Sequence, residues 1–470
     1  MKKYTKQEFN ERELEILRQA VDKSEERAGK RIANSPEIIN IIKIVEEFIK
    51  DNKLICYGGT AINNILPQQD QFYNKNIEIP DYDFFSPKAL HHAKALADIY
   101  YSKGYREVEA KAGVHSGTYK VYVNFIPVAD ITFIEEKLFK SISLESIIVD
   151  NIMYAPPNFL RMSMYLELSR PEGDVSRWEK VLKRLILLNK HYPLKGINCN
   201  PKDFARKFEN DSKENMNKLY YITRNSFIDQ GLIFFGSYAI SLYSKYMSKK
   251  EQSIFQKYPD FDILSEDPAK TAQITKERLK SNGFDNINIF KKSGFGEIIA
   301  PHYEIIVDNE TIAFIYKPLA CHSYNNIKIK GRYIKVASID TILSFYLAFY
   351  YSNRPYYDKN RLLCMAQYLF EVQAKNRLEQ KGLLKRFSIN CYGKQETMES
   401  IRAEKTHIFQ ELKDKKGSEE YDKYFLRYTP YDNIKNKKNT KRKIKTTRKK
   451  NMQKKKTKKN NKLFGYKLRL

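Results

Sequence analysis

Asp81 and Asp83 are one residue apart, and the spacing recurs at Asp260 and Asp262, the two Asp-x-Asp pairs of the chain. Side chains two apart on a strand share a face, so each pair presents two carboxylates at one spot while Tyr82 or Phe261 turns the other way. Carboxylates that close repel, and one takes a proton unless a cation offsets them. A divalent ion with oxygen ligands suits the place, Mg²⁺ or Mn²⁺, because it also shares substrate phosphates. Asp130 joins the apolar run 125–129 to Ile131-Thr132-Phe133 and puts a third carboxylate on a neighbouring strand. Three acids can hold two ions, one activating an attacking 3′-hydroxyl and the other holding a triphosphate and the departing pyrophosphate. In this reading Asp81 and Asp83 bridge both ions and Asp130 binds the hydroxyl-activating one.

Gly58-Gly59 lets backbone N–H groups approach phosphate with no Cβ in the way, and a helix starting near Thr60 would add its positive end. The Thr60 hydroxyl is a further candidate donor. A lone Asp-x-Asp is often a solvated turn, and a lone Gly-Gly is more often just a tight turn. Their combination with a third acid on an apolar strand points to nucleotidyl transfer. His91-His92 reads as surface, and Val114-His115-Ser116-Gly117 as a hairpin loop without the context of a hydrolase nucleophile.

The order of these residues repeats. Tyr57-Gly58-Gly59-Thr60-Ala61-Ile62 is echoed by Phe235-Gly236-Ser237-Tyr238-Ala239-Ile240, and Pro80-Asp81-Tyr82-Asp83 by Pro259-Asp260-Phe261-Asp262. Gly104 and Gly283 each follow the second aspartate of their pair by 21 residues. Matching Ile131-Thr132-Phe133-Ile134 with Ile312-Ala313-Phe314-Ile315 sets Thr311 where Asp130 stands. Asp308 and Glu310 then face away unless a bulge resets the register. The second copy is therefore expected to be catalytically dead and to serve RNA binding or assembly.

These patterns predict an α+β fold, a tandem duplication with helical segments and a disordered basic tail. Ser35 and Pro36 open a helix whose Ile38, Ile41, Ile42, Val45, Phe48 and Ile49 share one face, and Leu54-Ile55-Cys56-Tyr57 is a short buried strand ending at the glycines. The expected organisation is an N-terminal helical extension (1–34), a catalytic domain (35–195), a degenerate second copy (196–375), a charged helical connector (376–432) and the tail (433–470).

The 470 residues carry 84 Lys and Arg against 56 Asp and Glu, a balance that favours polyanionic partners, although an A/T-rich coding genome would leave the same excess of Lys, Asn, Ile and Tyr. The 18 basic residues between Lys435 and Arg469 stand without an acid, so the remainder is only about +10. That tail is read as an RNA tether, an import signal or a solubiliser. No apolar run approaches the ~20 residues of a membrane span, and charged residues from Glu8 on break any signal-peptide pattern. Cys56, Cys199, Cys321, Cys364 and Cys391 lack CxxC spacing and are expected as buried or free thiols, rather than disulfides or zinc ligands, in a reducing, cytosolic or nuclear setting.

Gly58-Gly59, Asp81-Tyr82-Asp83 and Asp130 match the DNA polymerase β-type nucleotidyltransferase signature. Tyr57-Gly58-Gly59-Thr60-Ala61-Ile62-Asn63, Asp81-Tyr82-Asp83-Phe84-Phe85-Ser86 and Tyr165-Leu166-Glu167-Leu168-Ser169-Arg170-Pro171 resemble poly(A) polymerase catalytic subunits of large cytoplasmic DNA viruses, the mimivirus type above all. The resemblance covers roughly residues 35–375. It implies ATP-dependent addition of adenylate to RNA 3′ ends, homodimers rather than a poxvirus-type stimulatory partner, no membrane, and a setting in host cytoplasm, viral factory or virion. The residues alone leave open a transferase of another nucleotide, a metal-dependent glycosyltransferase and a non-catalytic RNA-binding scaffold.

Overall fold

A computed structural model describes residues 5–74, 76–199, 213–252 and 259–431. The basic stretch 433–470, with the expectations attached to it, lies outside the described residues. The helix Lys6–Ala33 opens on a Thr5–Glu8 capping box and is exposed along most of its length. Ser35 then caps the helix Pro36–Asp51, which buries Ile38, Ile41, Ile44, Val45, Phe48 and Ile49 against the first sheet.

That sheet takes strands β1 (Ile55–Cys56), β2 (Tyr82–Ser86), β3 (Val108–Ala112), β4 (Thr118–Val123), β5 (Ile126–Phe133), β6 (Ile147–Val149) and β7 (Ile152–Tyr154). The second takes β8 (Ile233–Phe234), β9 (Phe261–Leu264), β10 (Ile287–Lys292), β11 (His302–Val307), β12 (Glu310–Tyr316), β13 (His322–Ile329) and β14 (Arg332–Ala337). The order β3-β4-β5-β2-β1-β7-β6 in one is matched by β10-β11-β12-β9-β8-β14-β13 in the other. Senses agree as well: β2 and β5 are parallel like β9 and β12, and β1 and β2 antiparallel like β8 and β9. The duplication read from spacing is thus a duplication of topology. The copies meet through equivalent helices, Pro157–Leu168 and Ile339–Tyr351, with Phe159 and Tyr351 edge-to-face at 5.4 Å and Ser141 Oγ donating to the Tyr351 carbonyl at 2.8 Å.

Three expectations are corrected here. The segment 376–432 is more than a helical connector: β15 (Cys391–Tyr392) joins the second sheet beside β13, and β16 (Arg427–Tyr428) joins the first beside β3. Those edges offered unpaired backbone groups that a returning chain could satisfy. The cysteines are not all free. Cys199–Cys364 and Cys321–Cys391 are bridged at Cα separations of 5.5 and 5.2 Å, and Cys56 alone is a free, buried thiol. The second bridge follows from the pairing of Ser323 with Cys391, which sequence separation does not foretell.

The third correction concerns register. Asp83 pairs with Asp130, and Asp262 pairs with Phe314 rather than Thr311. The second copy does lack the third acid, but an aromatic ring takes its place. Both copies carry the same irregularity here, between Val121 and Tyr122 in the first and between Ile305 and Ile306 in the second, so the matched apolar strings stand three residues out of step with the true pairing, and Thr311 donates to Glu304 at 2.7 Å.

Candidate active site

Residue 58 has φ +72°, a left-handed conformation that suits glycine, and a Cβ there would lie 2.7 Å from Asp83 Oδ2. At Gly59 a Cβ would meet the Tyr73 hydroxyl at 2.5 Å and the Arg184 guanidinium at 2.9 Å. The turn therefore has no room for side chains, and the helix Gly58–Ile65 begins two residues earlier than the sequence suggested. Thr60 is buried, and its Oγ1 donates to the Asp81 carbonyl at 2.7 Å. That bond engages the hydroxyl expected to face a nucleotide and fixes the backbone that carries Asp81.

Tyr82 is buried and donates to Glu46 at 2.5 Å, which turns Asp81 and Asp83 to the other face. Asp130 stands opposite Asp83 on β5, with Lys120 of β4 on its far side and ion-paired to it. One oxygen of Asp130 takes the Lys120 ammonium. The other, Oδ1, is buried without a hydrogen-bond partner. All six residues singled out by the sequence line one cavity of about 750 Å³.

Asp83 is pushed up to about 7, first by burial and then by the charges of Asp81 and Asp130, against the pull of Lys120 and Arg177. Asp81, open on its outer side, is raised by the protein around it and then by Asp130, against Lys120. An unmatched buried oxygen and a carboxyl held near neutrality by its neighbours fit hard divalent cations, with Asp81, Asp83 and Asp130 as ligands. Between the ordinary carboxylate value of 3.8 and about 7, the folded metal-free chain holds a proton on Asp83 that the unfolded chain has released. This contribution to stability is therefore lost as pH rises through that window. Asp83→Asn should gain melting temperature relative to the natural chain between pH 5 and pH 8 in chelator, and Mg²⁺ should narrow the gap by stabilising only the latter. Parallel melting curves for the two proteins, with and without Mg²⁺, would refute it.

The sequence reading missed the cations of the cavity. Arg177, Lys180 and Arg184 come from one stretch, 175–191, and line the wall facing the aspartates. Their i, i+3, i+7 spacing marks one helix face and was available as a signal. Arg177 Nε pairs with Glu167 at 3.2 Å, and Arg184 donates to the Tyr73 hydroxyl at 2.5 Å with Phe72 beneath its guanidinium at 4.9 Å. Glu297 and Ile298, from the second copy, also reach this cavity.

In the second copy the Cβ position of Gly236 lies 1.7 Å from Asp262 Oδ2, against 2.7 Å between Gly58 and Asp83, so this carboxylate is pressed more closely onto its turn. Burial and Asp260 raise Asp262 well above its ordinary value.

Residues 43–174 match the family model described as poly(A) polymerase catalytic subunit. A protein of African swine fever virus (Badajoz strain), provisionally named a poly(A) polymerase catalytic subunit, is 35% identical over 173 residues, 36% of this chain and 36% of that protein. A protein of Acanthamoeba polyphaga mimivirus with the same provisional name is 33% identical over 201 residues, 41% of this chain and 33% of that one. The match thus spans about a third of these relatives' length. Among solved structures, the Megavirus polyadenylate synthase superposes with a TM-score of 0.75 at 19% identity, covering 93% of this chain and 88% of that one, which shows a common fold.

Proposed function

We propose that the chain is a template-independent polynucleotide adenylyltransferase that adds AMP from ATP to RNA 3′ ends. The observation that carries the reading is the meeting of Asp81, Asp83 and Asp130 beside Gly58-Gly59 in one cavity, with Asp130 Oδ1 buried and unmatched. Divalent ions bound there, two of Mg²⁺ or Mn²⁺, would supply charge stabilisation for the triphosphate and acidify the RNA 3′-hydroxyl. The chain's own residues do the rest. Gly58 and Gly59 admit phosphate oxygens to the backbone N–H groups at the helix start. Arg177, Lys180 and Arg184 offset the charge of the departing pyrophosphate, and Thr60 keeps Asp81 aimed at the cavity.

The choice of adenylate is supported by the description of the family model that residues 43–174 match and by the printed name of the structural neighbour. The viral relatives support a viral setting in host cytoplasm or viral factory. The two disulfides remove the thiol argument for a reducing compartment. No described helix is long and apolar enough to cross a membrane. A homodimer is consistent with the exposed Leu14, Leu17 and Val21 of the N-terminal helix, and sedimentation of the full chain measures it.

The test is extension of a labelled RNA primer with Mg²⁺ and one NTP at a time. Long ladders with ATP alone are expected. Ladders with UTP or CTP instead would keep the transferase and overturn adenylate choice. No extension by folded protein with Mg²⁺ or Mn²⁺ would overturn both.

A further inference from the structure

The aspartates stand at one end of a row that crosses five strands. Asp83 pairs with Asp130, Asp130 with Lys120, Lys120 with Lys111, and Lys111 with Arg427 of β16. Directly opposed residues share a face, so two acids and three cations lie in line on the side that also carries Thr118 and Tyr122. The other side is closed: Ala110, Tyr119 and Val121 are buried there beneath the helix Ala89–Ser102. At a strand spacing of ~4.8 Å, Arg427 lies about 14 Å from Asp130.

At the outer end of this row is a second cavity, of about 600 Å³, lined among others by Tyr101, Arg106, Lys111, Tyr122, Phe125 and Tyr431. The Lys111 ammonium lies 4.1 Å over the Tyr122 ring, and the Arg106 guanidinium 5.1 Å over Tyr101. Glu107 and Glu109 line it too, and Glu109 holds Lys111 at 3.3 Å, so the surface is not uniformly positive.

Phe125 is the unusual member. It is 83% exposed at φ +66°, the second central residue of the β4–β5 turn. Among the described residues three other hairpin turns have the same pair of positive φ angles, and there the equivalent residue is Asn151, Asn309 or Gly331. Asn and Gly are the usual occupants of such a position. Among the described residues, only at this turn does a large ring stand in solvent at a sterically unfavourable angle.

We propose that the row Lys120, Lys111 and Arg427, with the aromatic cavity at its outer end, is the track that holds single-stranded RNA behind its 3′ end. The inference rests on the RNA-extending reading above and names the surface by which that site takes its polymer. Cations spaced along a sheet face match a phosphate backbone, and exposed rings beside them match unpaired bases, which stack on any aromatic regardless of sequence. The row ends at the aspartates, so a strand lying along it delivers its terminus to them.

The test uses the full chain carrying Lys111→Glu/Arg427→Glu, or Phe125→Gly alone. Affinity for labelled oligo(A) is read by fluorescence anisotropy without nucleotide, and extension is read separately at saturating RNA. The double charge reversal should weaken binding at least ~10-fold and flatten the salt dependence by a slope of about 1.4. Phe125→Gly should weaken binding by about fivefold or more, yet melt no lower than the natural chain because glycine suits the turn. Extension at saturating RNA should stay within about twofold in both, so the defect is one of KM for RNA rather than kcat. Unchanged affinity in both variants overturns the track even where the natural chain extends RNA. Conversely, a natural chain that binds RNA with these sensitivities and extends it with no nucleotide upholds the track and sinks the transferase.

Discussion

Replacing Asp81 and Asp83 together with alanine should lower RNA extension by at least ~10³-fold, a loss of about 4 kcal/mol in transition-state stabilisation. Both carboxylates face a cavity that also holds Asp130, and the burial of Asp83 beside Asp81 and Asp130 raises it to about 7, so removing the pair should relieve the fold while it removes the charge that gathers metal. The matching change at Asp260 and Asp262 should leave turnover within about twofold, because Phe314 stands opposite Asp262 where Asp130 stands opposite Asp83. Primer extension with purified, folded variants reads both. An active Asp81→Ala/Asp83→Ala protein, or one silenced only by the second pair, would move the active site out of the first copy.

Arg386→Ala should destabilise the chain by about 3–5 kcal/mol, because it strands a carboxylate in the interior. Asp340 is fully buried in the first turn of the helix Ile339–Tyr351, where Arg386 Nη2 donates to it at 2.9 Å and Gln373 Nε2 at 3.1 Å. For a unit of this size the melting temperature should fall by roughly 6–20 °C. Asp340→Asn/Arg386→Met should recover most of the loss, since it removes both charges together. A loss under about 1 kcal/mol on the single change, or a double variant no better than the single, would mean that the pair is not coupled.

The site was legible where it depends on spacing within a short stretch. Gly58, Gly59, Asp81 and Asp83 are fixed by a turn and a strand whose alternation is local, and Asp130 announced itself as an acid inside an apolar run. Thr311 was misplaced because a match of apolar strings does not fix register: the pairing with the neighbouring strand sets Phe314, three residues further on, opposite Asp262. Thr60 was taken as a ligand because a hydroxyl beside a glycine turn has two uses, and nothing local says that the Asp81 carbonyl lies within its reach. The bridges Cys199–Cys364 and Cys321–Cys391 span 165 and 70 residues, and the returning strands β15 and β16 are two residues each. Contacts of that reach are set by the assembled fold and leave no period in the sequence.

The return of β16 to the edge of β3 has a consequence for the order of events during synthesis. Arg427 meets Lys111 across more than three hundred residues of intervening chain, so the sheet begun first is the sheet finished last. A ribosome that has already released every strand of the second sheet's duplicated core still holds back the edge strand of the first. Until it emerges, β3 presents an open edge while the nascent chain waits. Maturation of the first copy is thus timed by the arrival of residues 427–428 rather than by its own local sequence.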